Sequence, residues 1–236
     1  MELGGFLDLK GYGHLLWSGT LMTLAVGIAA MAVALGLGIL GALGKLSPRA
    51  GLRRLATAYT VIIRGVPELV LLLLIYYGGT VLIQDLAALW LGGDVRIDIN
   101  AFAAGTLVVG FVYGAYATEI FRGAFLAVPK GQIEAGLSFG MTRTRVFWRI
   151  RLPQAWRFAL PGLANLWLTL FKATSITSVI GLTELARQSN DVMAATRLPF
   201  TTFFVAALIY LAITAVSDVI RLRFATRAAA GVRRGS

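Results

Sequence analysis

Cysteine is absent from this chain, and histidine occurs once, at His14. Without cysteine there is no disulfide, no thiol nucleophile and no Cys-based zinc site. Without a second histidine there is no paired-histidine metal site. A Ser-His-Asp hydrolase would have to use His14, in the N-terminal tail, so neither a catalytic residue nor a metal ligand is expected. Charge is also scarce, at 14% of 236 residues, where a soluble domain carries about 25%. Acids are rarer still, 11 against 22 Lys and Arg, for a net charge of +11. What fills the chain is apolar: 58% of it is hydrophobic, more than one small soluble core buries. The composition is that of a membrane protein.

The apolar residues fall into five runs of spanning length. The first covers 15–44, thirty positions without a charge, where a spanning helix needs about 20. It is too long for a signal-peptide core, and Glu2, Asp8 and Lys10 before it nearly cancel. The others are 55–83, interrupted by Arg64 and Glu68; 99–121; 158–183, broken by Lys172; and 198–220, charge-free to Ser217. The first connection holds Lys45, Arg49, Arg53 and Arg54 with no acid. The long third one, 122–157, holds Arg122, Lys130, Arg143, Arg145, Arg149, Arg151 and Arg157 with one acid, Glu134. The tail holds Arg221, Arg223, Arg227, Arg233 and Arg234. By contrast Asp85, Asp94 and Asp98 outnumber Arg96, and 184–197 is balanced. Basic loops stay in the cytoplasm, so the N-terminus is expected outside and the C-terminus inside. Topology accounts for the basic residues, so lipid and not nucleic acid is the expected surroundings. No internal repeat or linker divides 1–236, which is read as a single transmembrane domain.

Gly36, Gly38 and Gly41 match a dinucleotide-binding spacing, and Gly44-Lys45 the end of a P-loop. Both fail: the glycines lie inside an uncharged span, and Ile39 and Leu46 stand where the P-loop needs Gly and Ser or Thr. Ala30, Ala34, Gly38 and Ala42 instead form a ridge of small residues, which lets membrane helices approach closely.

Arg64-Gly65-Val66-Pro67-Glu68 is the most unusual segment. Pro67 removes a backbone donor and drives Val66 out of the helix. Such breaks persist in membranes where they line a cavity or are buried in protein, and transporters place substrates at them. Counted from Leu55, Arg64 falls about 15 Å into the span. Arg64 suits a carboxylate and Glu68 a cation; an internal Arg64–Glu68 pair at i, i+4 is the structural alternative. In the fourth run Pro161 can open a helix, Lys172 then lies near its middle, and Thr174, Ser175, Thr177 and Ser178 follow. Hydroxyls in membrane helices often bond back to their own backbone, and at least two of these are expected to. Tyr113, Tyr116 and Glu119 recur at three-residue steps, with Glu119 beside Arg122 and Asp218 beside Arg221 as local pairs.

The 122–157 loop is too long for a plain connection. Pro129 can open a helix, Gly140 can end it and Thr142 can cap the next, predicting two short amphipathic helices at a glycine corner. Such a pair suits the membrane surface or a groove on a soluble partner.

The residues of this loop resemble the EAA loop of ABC importer membrane subunits. Glu134-Ala135, Gly140 six residues after Glu134, and Ile150, Leu152 and Pro153 follow the pattern E-A-A, three residues, G, nine residues, I-x-L-P. Gly136 replaces the second alanine. Arg64-Gly-Val-Pro-Glu, Gly123-Ala-Phe-Leu-Ala-Val-Pro-Lys-Gly, Ala159-Leu-Pro-Gly-Leu and Lys172-Ala-Thr-Ser resemble the polar amino acid uptake subfamily, and within it the Q-type permeases of histidine/lysine/arginine/ornithine and arginine importers.

That resemblance implies an all-α integral membrane protein with the five-helix type I importer (MetI-like) fold and a cytoplasmic coupling helix. It implies a pore formed with a sister permease or an identical copy, a solute-binding protein outside, and an ATP-binding cassette ATPase dimer inside. ATP and Mg would sit in that ATPase, with no cofactor on this chain. Arg64, Gly65, Pro67, Glu68, Lys172, Thr174 and Ser175 are the expected substrate residues. Glu134, Ala135, Gly136 and Gly140 are the expected coupling residues. The expected cargo is a basic L-amino acid, with opines as the related alternative. A stand-alone secondary transporter or channel is the other reading; it leaves the docking loop without a purpose.

Overall fold

The computed structural model describes residues 9–91 and 100–229, and no strand occurs among them. The charges of Glu2, Asp8, Asp94, Arg96, Asp98, Arg233 and Arg234 lie outside the described residues.

Helix α1 (Gly13–Lys45) buries one stripe, including Gly27, Ala30, Ala34, Gly38 and Ala42. That stripe packs along α5 (Ala101–Ala127), the most enclosed helix of the bundle. The small-residue ridge is therefore a packing surface, as expected. A Cβ on Gly38 would come within 2.5 Å of the Ala117 Cβ, and one on Gly110 within 3.0 Å of the Ala30 carbonyl oxygen. No side chain fits at those two crossings. Asn100 starts α5 by accepting from the amides of Phe102 at 2.8 Å and Ala103 at 3.3 Å.

The run expected as one span over 55–83 is divided. Helix α2 (Ala50–Gly65) ends at Val66 (φ −111°, ψ 139°) and Pro67 (φ −56°, ψ 136°), both extended. Helix α3 (Glu68–Leu73) then continues through a π turn (Leu74–Gly78) into α4 (Gly79–Leu91). The second stretch long and apolar enough to cross a membrane is thus Glu68–Trp90. The other four are Gly13–Lys45, Ala101–Ala127, Arg143–Ile180 and Pro199–Arg223.

Helix α5 extends six residues past the expected end of its span, so the connection after it is shorter than 122–157. It holds α6 (Lys130–Ser138) and α7 (Arg143–Val146). Here α7 is no separate short helix: it runs through a π turn (Phe147–Arg151) into α8 (Leu152–Ala173). Pro161 therefore lies inside α8, not at its start; Pro153 occupies the first turn. A 3-10 segment (Thr174–Ile180) follows, closed by Gly181 at φ +87°. The connection at 184–197 contains a helix, α9 (Leu185–Thr196), which packs on α1 and on α10 (Pro199–Ala229). Large apolar side chains such as Ile28, Leu40, Leu89, Trp90 and Phe200 stand outward on the bundle, as lipid-facing surfaces require.

Candidate functional site

The break at Val66–Pro67 determines where its two charges go. Arg64 lies in the last turn of α2 and Glu68 opens α3. A cation at a helix C-terminus and an anion at an N-terminus each complement the helix dipole. The i, i+4 spacing that would pair them exists only in a continuous helix, and the chain is extended between them. No Arg64–Glu68 ion pair forms among the described residues. The internal pair considered from the sequence is thereby corrected.

Each charge meets a tyrosine of α5 instead. The Tyr113 hydroxyl donates to Glu68 Oε2 at 3.3 Å. The Arg64 guanidinium carbon lies 5.2 Å from the Tyr116 ring centroid, in cation–π range. The two rings are 5.7 Å apart. Tyr113 is buried, Tyr116 and Glu68 are half-buried, and Arg64, Gly65 and Pro67 are exposed. Tyr113 is one residue from the centre of α5, roughly 18 Å from its start at 1.5 Å per residue. The charged break therefore sits at mid-height of the bundle.

Helix α3 also packs on the 3-10 segment Thr174–Ile180, so the second and fourth apolar runs meet beside the break. All four hydroxyls there bond back to the backbone. Thr174 donates to Phe171 O at 2.8 Å, Ser175 to Lys172 O at 2.8 Å, Thr177 to Thr174 O at 2.6 Å and Ser178 to Ser175 O at 2.7 Å. Thr174 is fully buried, Ser175 is half-buried, and Lys172 is exposed at the end of α8. Ser175 keeps an acceptor lone pair free to meet a ligand.

The second cluster is the glycine corner. Pro129 is the cap residue before α6, Gly140 takes φ +77°, and the Thr142 side chain accepts from Arg145 N. Only glycine adopts that φ without strain. Gly136 is buried: a Cβ there would lie 2.7 Å from Ile150 Cδ1 and 3.2 Å from Val146 Cγ2. The departure from alanine thus lets α6 lie tightly on the start of the next helix. Glu134, Ala135 and Gly140 are exposed, with Phe139 90% exposed beside them.

Glu119 pairs with Arg122 at 2.8 Å as expected, and also with Lys45 of α1, which sequence spacing could not reveal. Asp218 pairs with Arg221 at 2.7 Å. Sequence reasoning counted Glu184 only as one charge of the balanced 184–197 connection and missed its role. Its carboxylate is fully buried and caps α9, accepting from Ala186 N and Arg187 N at 2.9 Å. Thr23 of α1 and Tyr210 of α10 donate to it at 3.4 and 3.3 Å. Desolvation holds this carboxyl above the usual carboxylate range, against those hydrogen bonds. A glutamate is not a favoured cap residue, so no local signal marked it.

The family described as "Binding-protein-dependent transport system inner membrane component" matches residues 34–229. The histidine/lysine/arginine/ornithine transport system permease protein HisQ of Escherichia coli (strain K12) is 41% identical over 96% of this chain and 98% of its own length. The octopine transport system permease protein OccQ of Rhizobium radiobacter is 41% identical over 99% of this chain and 98% of its own. Among solved structures, an amino acid ABC transporter crystallised with histidines is similar at a TM-score of 0.80 and 33% identity, covering 94% of this chain and 98% of that one. An inward-facing MetNI methionine ABC transporter shares the fold at a TM-score of 0.63 and 17% identity, covering 97% and 99%.

Proposed function

The chain belongs to the binding-protein-dependent transport system inner membrane component family, and we propose that it forms the pore of an ATP-driven importer for basic L-amino acids. It is a multi-pass inner-membrane subunit. The observation that carries the ATP-driven reading is the glycine corner at Gly140, which presents exposed Glu134 and Ala135 on a short helix braced by Gly136. A secondary transporter has no ATPase for such a corner to engage.

In this reading α6 docks on an ATP-binding cassette ATPase dimer, which holds ATP and Mg, while this chain binds no cofactor. A second permease, identical or a sister, completes the pore, and a solute-binding protein delivers substrate from outside. The N-terminus is outside and the C-terminus cytoplasmic, as the basic connections require. Arg64 meets the substrate carboxylate and Glu68 the side-chain cation. Gly65 and Pro67 keep the helix open between them. Lys172 and Ser175 complete the site from the fourth span, where α3 packs on the 3-10 segment, while Thr174 is fully buried with its hydroxyl on Phe171 O and does not reach a substrate. The names of the relatives support a histidine, arginine, lysine or ornithine substrate. The octopine permeases, as similar in sequence, support an opine as the second reading.

The test is ATP hydrolysis by the chain co-expressed with its genomic neighbours, reconstituted in liposomes with the binding protein. Stimulation by arginine, lysine, histidine or ornithine and by no neutral amino acid is expected. Stimulation by octopine alone selects the second reading. Substrate movement down its gradient through this chain without any ATPase would refute the importer reading.

A further inference from the structure

We propose that Tyr113 and Tyr116 are positioning residues that hold the charges of Glu68 and Arg64 apart, and that this separation sets the selectivity for dibasic amino acids. The inference rests on the substrate assignment proposed above for those two charges.

Arg64 and Glu68 are only four residues apart in sequence and carry opposite charge. At mid-height in a membrane, two such groups are strongly drawn to each other, because the surroundings screen them poorly. A direct pair would neutralise both and leave nothing for a zwitterion to bind. The helix break removes the helical route to that pair, but an extended Val66–Pro67 link does not by itself keep two side chains apart. The tyrosines do. The Tyr113 hydroxyl donates to Glu68 Oε2 at 3.3 Å and fixes the carboxylate toward α5. The Tyr116 ring, one turn further along, holds the guanidinium at 5.2 Å from its centroid. The rings are 5.7 Å apart and tilted by 36°, so they act as one platform with an anion at one end and a cation at the other.

A cation–π contact in a half-buried setting is weaker than a charge-assisted pair with a carboxylate. Arg64 therefore leaves Tyr116 for a substrate carboxylate that comes to it, whereas the Glu68 carboxylate, held toward α5 by Tyr113, does not come to it. Glu68 keeps its Tyr113 bond and accepts the side-chain cation. Arginine, lysine and ornithine satisfy both ends. Citrulline, which has the arginine shape without its charge, satisfies only the Arg64 end.

The experiment is calorimetric titration of arginine and of citrulline into the detergent-purified permease–ATPase complex, with the binding protein omitted. The wild type is expected to prefer arginine. Tyr113→Phe keeps the ring and loses the donor: arginine affinity falls about tenfold, the loss of one hydrogen bond to a charge, with citrulline unchanged. Tyr116→Leu frees Arg64 to close on Glu68, so both ligands weaken. Tyr116→Phe, which keeps the ring, restores both. If Glu68→Gln abolishes the preference for arginine while Tyr113→Phe and Tyr116→Leu bind like the wild type, the separating role is refuted and the substrate site stands. If Glu68→Gln leaves the preference intact, the substrate site itself is refuted and this inference with it.

Discussion

A single carboxylate joins three helices in this molecule. Glu184 caps α9 and accepts from α1 through Thr23 and from α10 through Tyr210. Replacing it with alanine strips the acceptor from two helix-end amides and two hydroxyls. Glu184→Ala is expected to lower stability by about 1–2 kcal/mol, the upper range for a lost cap, read as thermal unfolding of the purified complex. Its pH behaviour has a defined sign. The folded carboxyl sits above its unfolded value, so the folded state binds the proton more tightly. That contribution is fully present below the ordinary carboxylate range and is lost as pH rises through the raised folded value. The wild type is expected to lose stability over that window relative to Glu184→Gln, which cannot titrate. Equal pH slopes for the two proteins would mean that folding does not raise the Glu184 carboxyl above its unfolded value. In the sequence this residue looked like one acid among balanced loop charges. Burial made it different, and burial is not a local property. Glu68 and Arg64 were legible because Pro67 marks them; their tyrosine partners were visible only as a three-residue rhythm.

Among the elements, the contact of α1 with α5 carries the bundle. Small residues at i, i+4 spacing allow backbones to touch, and a side chain at the crossing has nowhere to go. Gly38→Val pushes against the Ala117 backbone carbon, 3.1 Å from the added Cβ. Gly36→Val on the same helix meets open space. The first is expected to cost about 1–3 kcal/mol as overpacking, the second a few tenths at most, in the same thermal unfolding assay. Equal effects would mean that helix propensity, and not the crossing, governs these glycines. The ridge could be read from spacing alone, because helical geometry is local. The end of α7 could not. Two short helices were expected, but no glycine or cap stands between Val146 and Leu152, so the helix runs on through a π turn, and Pro161 is carried into its interior. The break at Val66–Pro67 was foreseen from proline chemistry. That it divides the second run into α2 and a separate apolar stretch, Glu68–Trp90, was not.

The whole molecule offers a direct test of orientation because it has no cysteine. Any introduced thiol is unique in the chain. With an outward N-terminus and cytoplasmic basic connections, Asn190→Cys on α9 is expected to react with a membrane-impermeant maleimide on intact cells. Ser138→Cys on α6 is expected to react only after the membrane is opened. Both sites are exposed in the fold. The reverse pattern would invert the assignment and put the glycine corner on the side without ATP.

Taken alone, the sequence determined the membrane class, the five spans, the ridge, the helix break and the glycine corner. These follow from hydropathy, proline and glycine conformation, and helical periodicity, which act over a few residues at a time. Only the tertiary structure decided which groups meet. Arg64 and Glu68 are separated by tyrosines of another helix, Glu119 is shared with Lys45, and Glu184 gathers three elements. Each of these depends on contacts between residues distant in the chain, where desolvation and electrostatics act through space and no local spacing records them.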